Sequence, residues 1–390
     1  MESLPSLQHH LSPKRLLDLA WQLIAIPSPT GDAGKVLDWL EGRLLAEGLP
    51  VQRVAGGHPA APAVVAILDS GKPGPTLQFN GHVDTVHLPF VPPNQDDGRL
   101  TGSGASDMKG GTAAALEALF ALRDSDLLKT GRVMFTAHDL HEAPWGYGQQ
   151  LDQMIREGIH GDAVLIPEPL CDHLPVVGRG SATWKIHVSR EGPPIHEVMR
   201  PANEPSVIAA AARLITRLES FQRELSLRSD PMAGSESVFI GQVHGGEIFN
   251  QYPRTTWLEG TRRWLPGVFP REVEREFRQI LAEIARETGT LITADYNVIR
   301  DAFRLSPEDR LVNAFQKAHT WRAGAALPLG PKLFVDDGNS FHGLGPIAAI
   351  THGPRAGGQH TIHEWVDIDD LTRVAGVYAA TALFFCTNPG

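Results

Sequence analysis

The feature that most constrains this chain is an interruption. Alternating strand-like and helix-like segments stop near Gly178-Arg179-Gly180, a different and self-contained pattern runs to about residue 300, and the first pattern then resumes. The flanking halves must therefore close one layered α/β domain around an insert. Before the break, Leu37, Leu40 and Leu44 line one face of a helix over 33–48, with Gly48 suited to its end. Strands are predicted at 62–68, 76–80, 132–137 and 163–166. Helices are predicted from Gly110-Gly111 to about Arg123 and near 149–157. Inside the break, Trp184, Ile186 and Val188 share one face of a strand over 182–188. A helix follows from about Pro205, after Asn203, with Val207, Ala211, Leu214 and Leu218 as its stripe. Strands at 238–243 and 255–264 come next, then a helix with Val273, Phe277, Ile280 and Ile284 on one face, then a strand at 291–299. That β-α-β-β-α-β order is ferredoxin-like. Beyond Phe303, strands near 332–335 and 346–350 and a helix from about 368 complete the outer domain. The expected architecture is an α/β fold: an open mixed sheet from 1–177 and 301–390, and an inserted ferredoxin-like domain at 178–300.

At 390 residues the chain exceeds what one hydrophobic core usually serves, and its 42% hydrophobic content excludes a disordered chain. Thirty-five basic against 45 acidic side chains leave a net charge of −10, which argues against a nucleic-acid partner. The longest apolar run, around 374–386, is broken by Gly376 and Thr381, so no membrane partner is expected. Two cysteines, Cys171 and Cys386, cannot staple a fold of this size and point to a reducing, cytoplasmic setting. The first residues lack a basic region followed by an apolar stretch, so no secretory signal is expected.

Seventeen histidines are more than ordinary usage, and several fall in five polar clusters. His82, in Gly81-His-Val-Asp-Thr-Val86, lies just past a strand end, with Asp84 on the same face of the extended chain, where a carboxylate can orient the imidazole. Asp107 sits on the glycine-rich turn Ser106-Asp-Met-Lys-Gly-Gly111 before a helix. Thr136-Ala-His-Asp-Leu-His-Glu142 gathers His138, Asp139, His141 and Glu142, and Glu168 follows the 163–166 strand. The fifth cluster is His360-Thr-Ile-His-Glu364. Four of the five follow the carboxyl end of a strand, where open α/β sheets bind ligands. Two imidazoles and three carboxylates meeting there suit two divalent, zinc-like ions. A shared carboxylate would hold such ions about 3.5–4 Å apart around an activated water.

On these stretches, and above all GHVDTV and SDMKGG, the chain resembles the M20 family of dinuclear zinc peptidases and deacylases. That family includes acetylornithine deacetylases, succinyl-diaminopimelate desuccinylases and glutamate carboxypeptidases. The resemblance implies a metal-dependent amidohydrolase cleaving an N-acyl amino acid or short peptide, with two Zn2+ ions (Co2+ or Mn2+ being the alternatives) and a homodimer formed through the inserted domain. It implies His82 and Glu168 as ligands of one metal, Asp107 as the bridging carboxylate, Glu142 and His360 (rather than His363) as ligands of the second, and Asp84 as support for His82. The third cluster departs from the family's Asp-Glu-Glu. Aligned on Glu142, it puts His141 where the family has its general base. Counted without a gap, Asp139 would be the base and Leu140 the ligand, which a leucine cannot be. The base stays open among His141, Asp139 and Glu142. The family's substrate contacts fall on His196, Asn250 and Arg263 in the inserted domain and on Gly338 in Asp336-Asp-Gly-Asn339. The second reading is a non-catalytic relative that binds metal and an acyl amino acid or peptide without hydrolysis.

Overall fold

The computed structural model describes residues 4–387. In chain order the principal strands are β1 (Val51–Val54), β2 (Ala63–Asp69), β3 (Thr76–His82), β4 (Arg132–His138), β5 (Ala163–Ile166), β6 (Gly180–Ser189), β7 (Ser237–Gly245), β8 (Thr255–Trp264), β9 (Leu291–Arg300) and β10 (Ala348–Thr351). The principal helices are α1 (Pro13–Ala25), α2 (Gly34–Ala46), α3 (Gly110–Ser125), α4 (Gln149–Arg156), α5 (Val207–Ser226), α6 (Pro270–Thr288), α7 (Arg310–Ala323), α8 (Asp337–Leu344) and α9 (Ile368–Thr387). The chain divides into two compact units: residues 177–304 with 331–335, and the remainder.

The larger unit is built on a six-stranded sheet in the order β1-β2-β4-β3-β5-β10. The β1-β2 and β2-β4 pairs are antiparallel; the β4-β3, β3-β5 and β5-β10 pairs are parallel, so the sheet is mixed. Helix α3 is buried along Ala113–Leu122 and apolar there except for Glu117, which pairs with Arg15 at 2.7 Å, as expected of a helix enclosed on nearly all sides. Two glycines allow its close approach. A Cβ at Gly81 would meet the Thr112 hydroxyl at 2.5 Å, and one at Gly111 would meet the Pro167 carbonyl oxygen at 1.9 Å. The loops after β3 and β5 and the turn before α3 thus converge at one edge of the sheet.

The smaller unit has a four-stranded antiparallel sheet, β7-β8-β6-β9, connected in the expected ferredoxin-like order. Trp184, Ile186, Val188 and Leu258 pack against Leu214, Leu218 and Phe221 of α5 and Phe277, Ile280 and Ile284 of α6. Burial of that face stabilises the unit by about 1.5–3 kcal/mol per large side chain.

Two expectations are corrected. Helix α5 starts at Val207 because the Ser206 hydroxyl accepts the Ala209 amide at 3.2 Å, a better cap than Asn203 offers, so Pro205 lies outside it. The strand placed at 332–335 is instead Leu329–Lys332, and residues 337–344 form α8, capped by Asp336 with Asn339 completing a capping box. Gly338 belongs to the first turn of that helix and donates its amide to Asp336 Oδ1 at 2.8 Å. Among the described residues, no helix is long and apolar enough to cross a membrane.

Candidate metal centre

Strand periodicity places Gln78, Asn80 and His82 on one face of β3, and all three are buried. His82 Nε2 lies 3.1 Å from Asp107 Oδ1 and 3.4 Å from Glu168 Oε1. Its Nδ1 is 3.1 Å from the Asp84 carbonyl oxygen, which fixes the ring, with the Asp84 carboxylate alongside at 3.5 Å. Asp84 Oδ2 also accepts the amides of His141 (3.0 Å) and Glu142 (3.1 Å). One buried carboxylate therefore holds both the His82 loop and the loop after β4.

Asp107 sits in a kinked turn, Ala105–Lys109, entered through Gly104 at φ 79°. Glu364 Oε2 accepts the amides of Ser106 and Asp107, each at 3.1 Å, and so shapes that turn. The Lys109 ammonium turns aside and donates to the Ile26 carbonyl at 2.9 Å. The two oxygens of Asp107 face different imidazoles: Oδ1 faces His82, and Oδ2 lies 3.4 Å from His360 Nε2. Glu142 Oε2 is 3.3 Å from the same His360 nitrogen. His360 adopts a left-handed backbone, φ 57°, uncommon for a non-glycine residue and typical of strain held at a site. Ligand atoms of His82, Asp107 and Glu142 lie within 4.8 Å of one another, as do those of His82, His141 and Glu168.

The electrostatics follow from this crowding. Burial favours the neutral acid at Asp107, yet His360 and His82 hold its carboxyl far below the usual carboxylate range. Burial and the Asp107 charge push Glu168 up to about 8. Asp107 and Glu142 push His360 up to about 10. Burial opposes a charge on His82, but Asp107, Asp84 and Glu168 raise it well above its ordinary value. Carboxylates this close favour positive charge between them, which raises the proton affinity of His82 and His360. A divalent cation answers the same need, and the nitrogen and carboxylate donors suit zinc and neighbouring metals, so the residues fit a metal centre.

His141 stacks on His82 with ring centroids 3.9 Å apart and 5° between planes. Its Nδ1 is 2.7 Å from Asp337 Oδ1, and its Nε2 is 3.9 Å from Glu168 Oε1. Burial and the neighbouring His82 lower its proton affinity, and Asp337 and Glu142 more than restore it. Asp139 is committed elsewhere: its carboxylate accepts the amides of Gly31 (2.9 Å), Ala33 (3.0 Å) and Leu140 (2.6 Å).

Within the smaller unit, His196 is half exposed and its Nε2 is 3.2 Å from Asn250 Nδ2, across the pairing of Ile195–His196 with Gln251–Tyr252. Arg263 reaches the Leu333 carbonyl at 3.5 Å and does not share that contact. Sequence reasoning missed Asp337, whose Asp-Asp-Gly-Asn setting is explained by turn composition alone. It also missed Gln78 and Asn80, for which polar residues at alternate positions of a buried strand were a usable signal.

Residues 78–383 match Peptidase family M20/M25/M40. A succinyl-diaminopimelate desuccinylase of Methylorubrum extorquens is 32% identical, covering 93% of this chain and 96% of that one. The aminopeptidase PepT of Bacillus cereus ATCC 10987 superposes with a TM-score of 0.81 at 20% identity, covering 96% of this chain and 99% of its own. A dinuclear metal binding peptidase of Bacillus subtilis from the M20 family gives 0.69 at 18% identity, covering 95% and 97%. A match over most of the chain, meeting a cluster of imidazoles and carboxylates at a sheet edge, makes this protein a hydrolase belonging to Peptidase family M20/M25/M40.

Proposed function

We propose that the protein hydrolyses the amide bond of an N-acyl amino acid or short peptide, with His82, Asp107 and Glu168 holding one zinc ion and Asp107, Glu142 and His360 a second. The observation that carries this reading is Asp107, whose two oxygens face His82 and His360 separately. When bound, the two ions supply Lewis-acid polarisation of the amide carbonyl and lower the pKa of the attacking water. His141 Nε2 takes the proton from that water and delivers it to the leaving amine. Asp84 fixes His82 and the loop bearing His141 and Glu142, so ligands and base keep one geometry. Asp139, bound to three backbone amides, has no part in proton transfer.

His196, with Asn250 at its ring, would donate to the developing oxyanion; Arg263 would meet a substrate carboxylate and Gly338 would border the pocket. The domain at 178–300 would act as dimerisation and lid domain of a cytoplasmic homodimer, in keeping with the free thiols of Cys171 and Cys386. The desuccinylase relatives make N-succinyl amino acids the first substrates to try. A metal-loaded preparation assayed against N-succinyl and N-acetyl amino acids and dipeptides should cleave at least one of these groups. Cleavage of none, with metal bound, would sink the proposal.

A further inference from the structure

A row of buried polar side chains runs through the six-stranded sheet, where apolar residues would cost less. Strands β3 and β4 pair with Asn80 opposite Thr136 and His82 opposite His138. The Gly161 amide can only donate, and it donates to Gln78 Oε1 at 2.9 Å. That fixes the Gln78 amide, whose Nε2 donates to the Thr136 hydroxyl at 2.7 Å. Thr136 in turn donates to Asn80 Oδ1 at 2.7 Å, and Asn80 Nδ2 to Asp337 Oδ2 at 3.0 Å. His138 Nε2 meets the same Asp337 oxygen at 2.8 Å. The other oxygen, Oδ1, accepts from His141 Nδ1 at 2.7 Å. The donors are set from that backbone amide as far as Asp337, which accepts from the row at Oδ2 and from the imidazole at Oδ1.

We propose that this row orients His141: acting through Asp337, it holds the imidazole in its Nδ1–H tautomer and leaves the Nε2 lone pair facing the ligand cluster. Asp337 is a positioning residue, and the family's carboxylate base is replaced here by a histidine backed by an aspartate. The inference rests on the proposed role of His141 as proton acceptor. A sheet needs buried polar groups to be satisfied, but it does not need its donors to converge on one carboxylate that also meets an imidazole at the ligand cluster.

The test is Asp337→Asn. Asn80 already donates to the Oδ2 position, so the new amide keeps its oxygen there and turns its NH2 toward His141 Nδ1. That drives the imidazole proton to Nε2, where it blocks proton acceptance. With a substrate from the proposed panel, kcat should fall about a hundredfold or more, with KM changed by less than about threefold and metal content per chain kept. Combined with His141→Gln, the second change should cost nothing further. Histidine 15N spectra should show His141 as Nδ1–H in the unaltered protein and as Nε2–H in the variant, whether or not turnover is seen. The tautomer of the unaltered protein decides the matter even if Asp337→Asn does not fold.

A slow His141→Gln beside a normal Asp337→Asn would overturn the positioning role and leave His141 as the base. Normal rates in both would overturn the His141 reading itself. Multiplicative losses in the double variant, loss of metal from Asp337→Asn, or an Nε2–H tautomer in the unaltered protein would each overturn the inference.

Discussion

On the buried faces of β3 and β4, Gln78, Asn80, His82, Thr136 and His138 alternate with Leu77, Phe79, Phe135 and Ala137. In the smaller unit the equivalent face of β6 and β8 is apolar over Trp184, Ile186, Val188 and Leu258, with buried Thr256 and Arg262, the latter paired with Glu236, only towards its ends. There the polar candidates, His196 and Asn250, sit outside the core, and His196 is half exposed. An apolar face coheres by burial alone and tolerates changes at its rim. A buried polar row holds only while each group keeps its partner. The proposed chemistry thus sits where neighbours over-determine the geometry, and the proposed substrate contacts sit at the exposed rim.

Substitutions in the two regions should therefore differ in kind. Asp107→Ala removes the carboxylate facing both His82 and His360 and should have the largest effect: loss of bound metal and a fall in activity of about 10⁴-fold or more. Metal analysis beside kinetics checks both parts. His141→Gln should cost about 10²- to 10⁴-fold in kcat with metal retained. Loss of metal from that variant would make His141 a ligand instead of the base. His196→Ala should lower kcat/KM by about 10- to 100-fold and change unfolding stability by less than about 0.5 kcal/mol. Calorimetry on that variant would contradict the contrast if it unfolded as readily as a variant of the buried row.

The smallest effect is a pH dependence of the metal-free protein. Glu168, raised from 4.5 to about 8, stays protonated in the folded state after the unfolded chain has released its proton. Stability therefore falls as pH rises between those values. His360, raised from 6.5 to about 10, contributes stability that is complete below 6.5 and lost as pH climbs to 10. Both act between pH 6.5 and 8. Glu364, raised to about 7, adds to them below pH 7, and Lys109, lowered to about 7, opposes them above it. The unfolding temperature of the metal-free protein should therefore fall most steeply just below pH 7. Zinc displaces those protons and should flatten the decline. An unchanged slope with zinc would contradict the ligand set.

How much of this could be read from residues alone depended on periodicity. The buried strand over 163–166 and the long strand over 255–264 stand where their apolar patterns placed them. Local motifs also gathered His82, Asp107, Glu142, Glu168 and His360, because each sits at a strand end or a glycine turn. What periodicity could not convey was long-range pairing. Nothing near Asp337 in sequence announces that it meets His141 and His138, about two hundred residues away. Helix α8 was hidden because its capping residues, Asp336 and Asn339, are also turn formers. Whether Asp139 has free oxygens is another matter that residues alone do not reveal: they accept the amides of Gly31, Ala33 and Leu140.

The central claim is that five side chains hold two divalent ions for amide hydrolysis. Titrating metal-depleted protein with zinc, while following cleavage of an N-succinyl amino acid or dipeptide, tests it most directly. The account predicts two equivalents bound per chain, with the rate rising to a plateau as the second site fills and no binding of the second equivalent by His360→Ala. Binding of one equivalent or none, or two equivalents bound with no cleavage of any substrate in the panel, would contradict it.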